Sequence, residues 1–182
     1  MPRHTYDLEW GMLPMCYPSD NIEHNCYIPN WAMWYIIELD EYFKRTGDRE
    51  LVDFAKEKLM AVARFFEDFE NNDGLLENLQ SWVFLEWSKA NEFTQNINYP
   101  SNMLYAHMLD VAGRLYNDAA LNKQAEQVRE TIRQQSFDGE YFVDNAIRGK
   151  GGKLALSGEH TEACQYYAFF THTATPESHP DL

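Results

Sequence analysis

Positive charge is scarce in this chain: 15 Lys and Arg stand against 29 Asp and Glu, for a formal net charge of −14. Nucleic acids and anionic membrane surfaces are gripped by Lys and Arg on phosphate, so this balance argues against both as partners. Cysteine is sparse and odd in number (Cys16, Cys26 and Cys164), which gives no disulfide framework. Cys16, His24 and Cys26 lie close together, yet their spacing fits no zinc pattern and a fourth ligand is not evident. No metal and no cofactor is therefore expected. No apolar run approaches the roughly 18 residues of a membrane span, and Met1-Pro-Arg-His leads into no secretory h-region. A phosphate loop, a Ser-His-Asp set and a Cys-His nucleophile signature are all missing. What is present is a length of 182 residues with 45% hydrophobic and 15% aromatic content, enough for one domain with a sizeable core. Its acidic surface suits neutral ligands such as sugars.

Three short glycine turns recur: Trp10-Gly11-Met12-Leu13, Asp73-Gly74-Leu75-Leu76 and Asp138-Gly139-Glu140-Tyr141. Their glycines are 63 and 65 residues apart (74 − 11 and 139 − 74). A fixed period of this kind decides architecture before any single motif does. Each unit reads as a turn, a loop and a pair of helices.

Residues 1–30 read as loop, broken by Pro14, Pro18 and Pro29. A first helix is predicted from about Asn30 to Thr46, with Ala32, Ile36, Leu39 and Phe43 on one stripe. Gly47 is a natural residue to end it, and Asp48 to cap the next helix. That helix should run to about Glu70 with Leu51, Phe54, Ala55, Val62, Phe65, Phe66 and Phe69 inward. So short a turn makes the two helices antiparallel. The second hairpin repeats the scheme. Leu104, Met108, Val111 and Leu115 form one stripe, Asn117-Asp118 the turn and cap, and Leu121, Ala125, Val128 and Ile132 the partner stripe. A fifth helix starts near Thr161 and is apolar almost all round, which implies burial on several sides. The long loops 71–98 and 136–160 are of a length that is usually functional, with room for short β-hairpins after each Asp-Gly.

The sharpest local signal is Ser81-Trp-Val-Phe-Leu-Glu-Trp87, which sets Glu86 beside Trp87 in a long loop. Sugars are bound by this combination, an aromatic face against C–H groups and a carboxylate accepting from hydroxyls. The plainer alternative is that Trp82, Phe84 and Trp87 anchor the loop to the core and Glu86 is solvated. Trp31 and Trp34 open the first helix away from its buried stripe, which calls for either a neighbouring helix or a ligand. Asp7, Glu9, Asp20, Glu92, Glu159 and Glu162 sit near turns, but the sequence selects no pair of carboxyls facing one glycosidic bond. His160 and His172 flank the last helix and read as structural.

Six segments occur in an order and spacing that carry a resemblance. They are Gly11-Met-Leu-Pro-Met-Cys-Tyr-Pro18, Ile28-Pro-Asn-Trp-Ala-Met-Trp34, Tyr42-Phe-Lys-Arg-Thr-Gly-Asp48, Phe84-Leu-Glu-Trp87, Asn98-Tyr-Pro-Ser-Asn-Met-Leu-Tyr105 and Thr161-Glu-Ala-Cys-Gln-Tyr-Tyr-Ala-Phe-Phe170. Together they resemble the catalytic domain of bacterial α-L-rhamnosidase-like glycoside hydrolases, the six-hairpin (α/α)6 toroid group. The resemblance implies an all-α fold in which residues 1–182 form about half of a six-hairpin ring, a partial catalytic domain. It implies inverting hydrolysis of a terminal α-linked sugar by a carboxylic acid and a carboxylate. In such enzymes these lie in an acidic, Arg-containing segment before, and a Trp-Glu segment after, the region matched here. No catalytic residue is therefore carried over, and the isolated chain is expected to be inactive. Part of the sugar pocket does carry over: Trp31 matches a pocket tryptophan, and Glu86-Trp87 a pocket pair that is usually Asp-Trp. The additional methylene of Glu86 bears on sugar specificity.

The implied partners are a carbohydrate or glycoside substrate, together with self-association or docking with the rest of the toroid. The compartment is left open between bacterial cytoplasm and periplasm. Two rivals stand beside this reading. One is another six-hairpin enzyme of the unsaturated uronyl hydrolase type, whose carboxylated substrate needs a cation from among Lys89, Arg148, Lys150 and Lys153. The other is a non-enzymatic helical-repeat module that binds a protein.

Overall fold

A computed structural model describes residues 11–15 and 27–182. Trp10, the Cys16, His24 and Cys26 set, and Asp7, Glu9 and Asp20 lie outside the described residues. Five helices follow one another: α1 (Pro29–Thr46), α2 (Arg49–Glu67), α3 (Tyr99–Tyr116), α4 (Ala119–Ser136) and α5 (Glu162–Phe170). Their limits follow from local chemistry. Pro29 and Pro100 occupy first-turn positions, where a missing N–H costs nothing. Asn98 and Thr161 cap α3 and α5 by accepting from the Ser101 and Cys164 amides. The two hairpins use one turn design, a left-handed residue followed by an acidic cap. Gly47 (φ 70°) precedes Asp48, which accepts from the Leu51 amide. Asn117 (φ 56°) precedes Asp118, which accepts from the Ala120 and Leu121 amides.

α3 lies at the centre, packed by α1, α4 and α5 and buried along nearly its whole length from Tyr99 to Tyr116. Its expected stripe of Leu104, Met108, Val111 and Leu115 is buried. α4 can approach it closely because residue 113 is glycine: a Cβ there would meet the Asn122 amide at 2.5 Å. Trp34, off the buried stripe of α1, packs on Phe170 and Tyr167 of α5, with ring centroids 5.1 and 6.5 Å away.

Both Asp-Gly turns are closed by isolated antiparallel bridges, Glu70 with Leu76 and Phe137 with Phe142. Each turn is then clamped by a side-chain amide from the helix that follows. The Leu76 amide donates to Asn102 Oδ1 (2.6 Å), and Asn102 Nδ2 donates to the Leu76 and Asn98 carbonyls (3.0 and 2.9 Å). The Phe142 amide donates to Gln165 Oε1 (2.9 Å), and Gln165 Nε2 donates to the Phe142 and Thr161 carbonyls (2.8 and 3.2 Å). Asn102 and Gln165 each stand four residues past their helix cap, so the repeat extends to its hydrogen bonds.

Four sequence expectations are corrected. The fold is predominantly helical rather than all-α. The strands β1 (Ile97–Asn98), β2 (Asn145–Arg148) and β3 (Leu154–Leu156) form an antiparallel sheet in the order β1-β2-β3, with Ile97 opposite Ala146 and Ile147 opposite Ala155. The hairpin expected after Asp138-Gly139 exists, whereas loop 71–98 contributes only β1 and a single turn of 3-10 helix at Lys89–Asn91. On α2, which ends at Glu67 rather than Glu70, Leu51 and Phe54 are exposed. The buried face there is Val52, Leu59, Val62, Ala63 and Phe66. α5 buries Cys164, Tyr167 and Ala168 but leaves Tyr166 exposed.

No helix among the described residues is long and apolar enough to cross a membrane.

Candidate functional site

Hydrogen bonds bring the starts of α1, α3 and α5 to one end of the molecule. Asn30 Nδ2, at the start of α1, donates to Ser101 Oγ of α3 (3.0 Å). Buried Asp144 joins α3 to α5. Its carbonyl accepts from the Tyr99 amide (2.9 Å), and its carboxylate from the Thr161 amide and hydroxyl (2.7 and 2.5 Å). Burial raises the pKa of Asp144, opposed by those two bonds from Thr161.

Segment 81–91 lies over this end. The chain enters it through Ser81 in a left-handed conformation (φ 65°), its hydroxyl donating to the Tyr27 carbonyl (2.7 Å). Asn91 Oδ1 holds the Leu85 amide (2.9 Å), and Ser88 caps the 3-10 turn. Phe84 is the buried hub of an aromatic cluster, with centroids 6.3 Å from Trp31, 5.5 Å from Trp82 and 4.8 Å from Trp87. The segment thus has an anchored part and an exposed part. Phe84, with Val83 and Leu85, anchors the loop, while Trp31 (46% exposed), Trp82 (44%) and Trp87 (83%) present large apolar faces outward. Such a patch is uncommon on a free surface.

Beside the cluster is a cleft of about 550 Å³, lined by Glu86, Lys89, Glu159, His160, Glu162 and Tyr166, with Tyr167 among its remaining walls. The structure therefore brings Trp31 and Trp87 together through Phe84 and places Glu86 at the border with the cleft. Neither tryptophan lines the cleft. Its aromatic walls are Tyr166 and Tyr167, which the sequence marked only as apolar residues of the last helix. Glu159 and Glu162 arrive there from the acids noted near turns, and Glu92 does not line it.

Polar atoms without a hydrogen-bond partner gather at this end. They are Glu86 Oε1, Asn30 Oδ1, Asn98 Nδ2 and Asn145 Nδ2, the three asparagines being almost wholly buried. Buried polar groups are normally satisfied, so these atoms call for an ordered water or another polar partner. Lys89 Nζ, the single lysine or arginine among the lining residues, is held 2.6 Å from Glu159 Oε2. That hydrogen bond raises the ammonium pKa, with the Glu159 charge as second cause. His160 Nε2 lies 2.8 Å from Asp138 Oδ2, consistent with the structural role read for it. The Asp138 carboxyl is lowered to about 2, chiefly by the Tyr141 and Glu140 amides. Of the other candidate cations, Arg148 is spent on Glu77 (3.0 Å) and Asp73 (3.2 Å) outside the cleft. Among the described residues no group of three or more His, Cys, Asp or Glu side chains is arranged to hold a metal ion.

No protein-family model and no curated protein sequence matches the chain. Solved structures do. A GH78 family rhamnosidase of Bacillus sp. GL1 superposes with a TM-score of 0.73 at 20% identity over 90% of this chain. A rhamnosidase from Klebsiella oxytoca, solved with rhamnose bound, superposes with a TM-score of 0.73 at 13% identity over 95% of it. The chain spans 17% and 33% of the length of these two proteins. It shares its fold with part of each.

Proposed function

We propose that the chain is part of the catalytic domain of an α-L-rhamnosidase-like glycoside hydrolase. In this reading it forms about half of a six-hairpin (α/α)6 toroid, with α1, α3 and α5 on the inner wall and α2 and α4 outside. The observation that carries the reading is a coincidence at the starts of the inner helices: exposed tryptophans stand beside unpartnered polar atoms, Glu86 Oε1 above all. A sugar ring needs both, an aromatic face for its C–H groups and acceptors and donors for its hydroxyls. Trp31 and Trp87 supply the first and Glu86 the second. The fold shared with two rhamnosidases supports the same reading at the level of architecture. The whole protein would hydrolyse a terminal α-linked deoxyhexose with inversion. Its acid and base carboxyls would stand roughly 6.5–9.5 Å apart to admit water. No such pair is assigned to this chain, which is expected to be inactive by itself.

Titration of the chain with L-rhamnose, followed on its tryptophan indole N–H resonances, tests the site. Weak saturable shifts are expected, and Trp87→Ala should cost at least about tenfold in affinity, or ~1.4 kcal/mol. Its circular dichroism should be unchanged, because Trp87 is so exposed. Undiminished binding by a folded Trp87→Ala variant would remove Trp87 from the site.

The helical-module alternative draws on a second surface, where Tyr35, Tyr42, Leu51 and Phe54 leave aromatic and aliphatic area exposed on α1 and the start of α2. We read that surface as one that docks with the rest of the toroid or, in the isolated chain, with a second copy. Light scattering should then give a mass above that of the monomer, and a monodisperse monomer would contradict self-association.

A further inference from the structure

We propose that the Lys89–Glu159 pair sets the charge selectivity of the cleft, holding it to uncharged sugars and turning away sugar carboxylates. The inference rests on the sugar-binding reading of this site and names the substrate class it admits. Three carboxylates line the cleft, Glu86, Glu159 and Glu162, against one lysine. A bound uronate needs a cation, preferably one that can form a charge-assisted hydrogen bond. Lys89 is the one candidate, and Glu159 already occupies it at 2.6 Å from a position 70 residues further along the chain. The other charges acting on Lys89, those of Glu92 and Asp144, are negative as well. His160, the other side chain in the lining able to carry a positive charge, is engaged by Asp138. An incoming carboxylate would have to displace Glu159 from Lys89 and then face Glu86 and Glu162 uncompensated. A neutral pyranose meets neither obstacle, because its hydroxyls can donate to Glu86 and Glu162 and leave Glu159 on Lys89.

The pair also bridges the loop that carries Glu86 and Trp87 to the segment that leads into α5. Both ends are more than half exposed, so its loss should leave the fold intact. Glu159→Gln keeps the shape and removes the competing charge, which frees Lys89 for a ligand carboxylate.

The test titrates D-glucuronate and L-rhamnose separately into the wild-type chain, Glu159→Gln and the double variant Glu159→Gln/Lys89→Met, followed on the tryptophan indole resonances. In the wild type, rhamnose should shift the signals and glucuronate should bind more weakly. Glu159→Gln should tighten glucuronate by roughly fivefold, the upper end of what an exposed ion pair contributes, and leave rhamnose within about twofold. The gain should shrink at high salt and vanish in the double variant. A glucuronate affinity unchanged by Glu159→Gln, or a gain that survives loss of Lys89, would overturn the charge-selection proposal while the sugar site stands. Absence of any shift with either sugar in all three proteins would instead overturn the sugar-site reading, and this proposal with it.

Discussion

Phe66→Ala should destabilise the chain by about 3–5 kcal/mol, whereas Phe54→Ala should change its stability by less than about 0.5 kcal/mol. Both residues are phenylalanines of the same helix, and from composition alone they are equivalent. Phe66 has no exposed surface and packs edge-on against Phe65 (5.6 Å) and at a tilt against Tyr105 of α3 (5.7 Å). Removing its ring opens a cavity in the contact between α2 and the central helix, so the lost transfer energy and the cavity term add. Phe54 is 75% exposed, and its truncation leaves no void. Urea melts at a concentration low enough to suppress association would measure both. The midpoint should fall steeply for Phe66→Ala with an unchanged slope, and stay in place for Phe54→Ala. Equal losses for the two variants would contradict the difference in burial between them.

The same pair shows where sequence reading reached its limit. Phe54 lies twelve residues before Phe66, which at 3.6 residues per turn is about 120° round the helix and off the Phe66 stripe. Its size drew it into the expected core although its position opposes that. Leu51 sits in the first turn about 100° round the helix from Val52, which is the residue buried there. Helix limits were far more legible. Gly47-Asp48 and Asn117-Asp118 each combine a left-handed conformation with a side-chain cap, and both are fixed within a few residues of sequence.

The pairing of β1 with the β2–β3 hairpin escaped notice because β1 is two residues long and its partner lies almost fifty residues away, too short a run for alternation to register. The site divides along the same line. Trp31, Glu86 and Trp87 were legible as candidate site residues, the last two in one local segment. The cleft walls Glu159, Glu162, Tyr166 and Tyr167 were not, because they depend on Asp144 holding α5 against the start of α3. The Lys89–Glu159 contact is a product of the same long-range arrangement.

Asn102→Ala should cost about 2–4 kcal/mol, more than its modest volume implies. Asn102 is almost wholly buried, and its amide satisfies both backbone groups of Leu76, itself buried, and the Asn98 carbonyl. Alanine would leave the Leu76 N–H and C=O without partners in a place water does not reach, at roughly 1–3 kcal/mol for each orphaned group if nothing relaxes. Gln165→Ala removes the equivalent clamp from Phe142, but Gln165 is only half-buried, so water can replace part of what is lost and about 1–2 kcal/mol is expected. Amide hydrogen exchange distinguishes loss of the clamp from a general loss of stability. In Asn102→Ala, protection at Leu76 should fall further than protection in the middle of α3, because the turn opens locally before the helices separate. A uniform fall would show that Asn102 contributes only to global stability.

The local outcome would reach the site as well. Asn102 Nδ2 also donates to the Asn98 carbonyl at the cap of α3, next to the unpartnered Asn98 Nδ2, so a turn that opens there should weaken rhamnose binding without touching a tryptophan. Weakened binding with the Trp31 and Trp87 resonances still in place would tie the repeat's amide clamp to the polar half of the site, and the aromatic half to segment 81–91 alone.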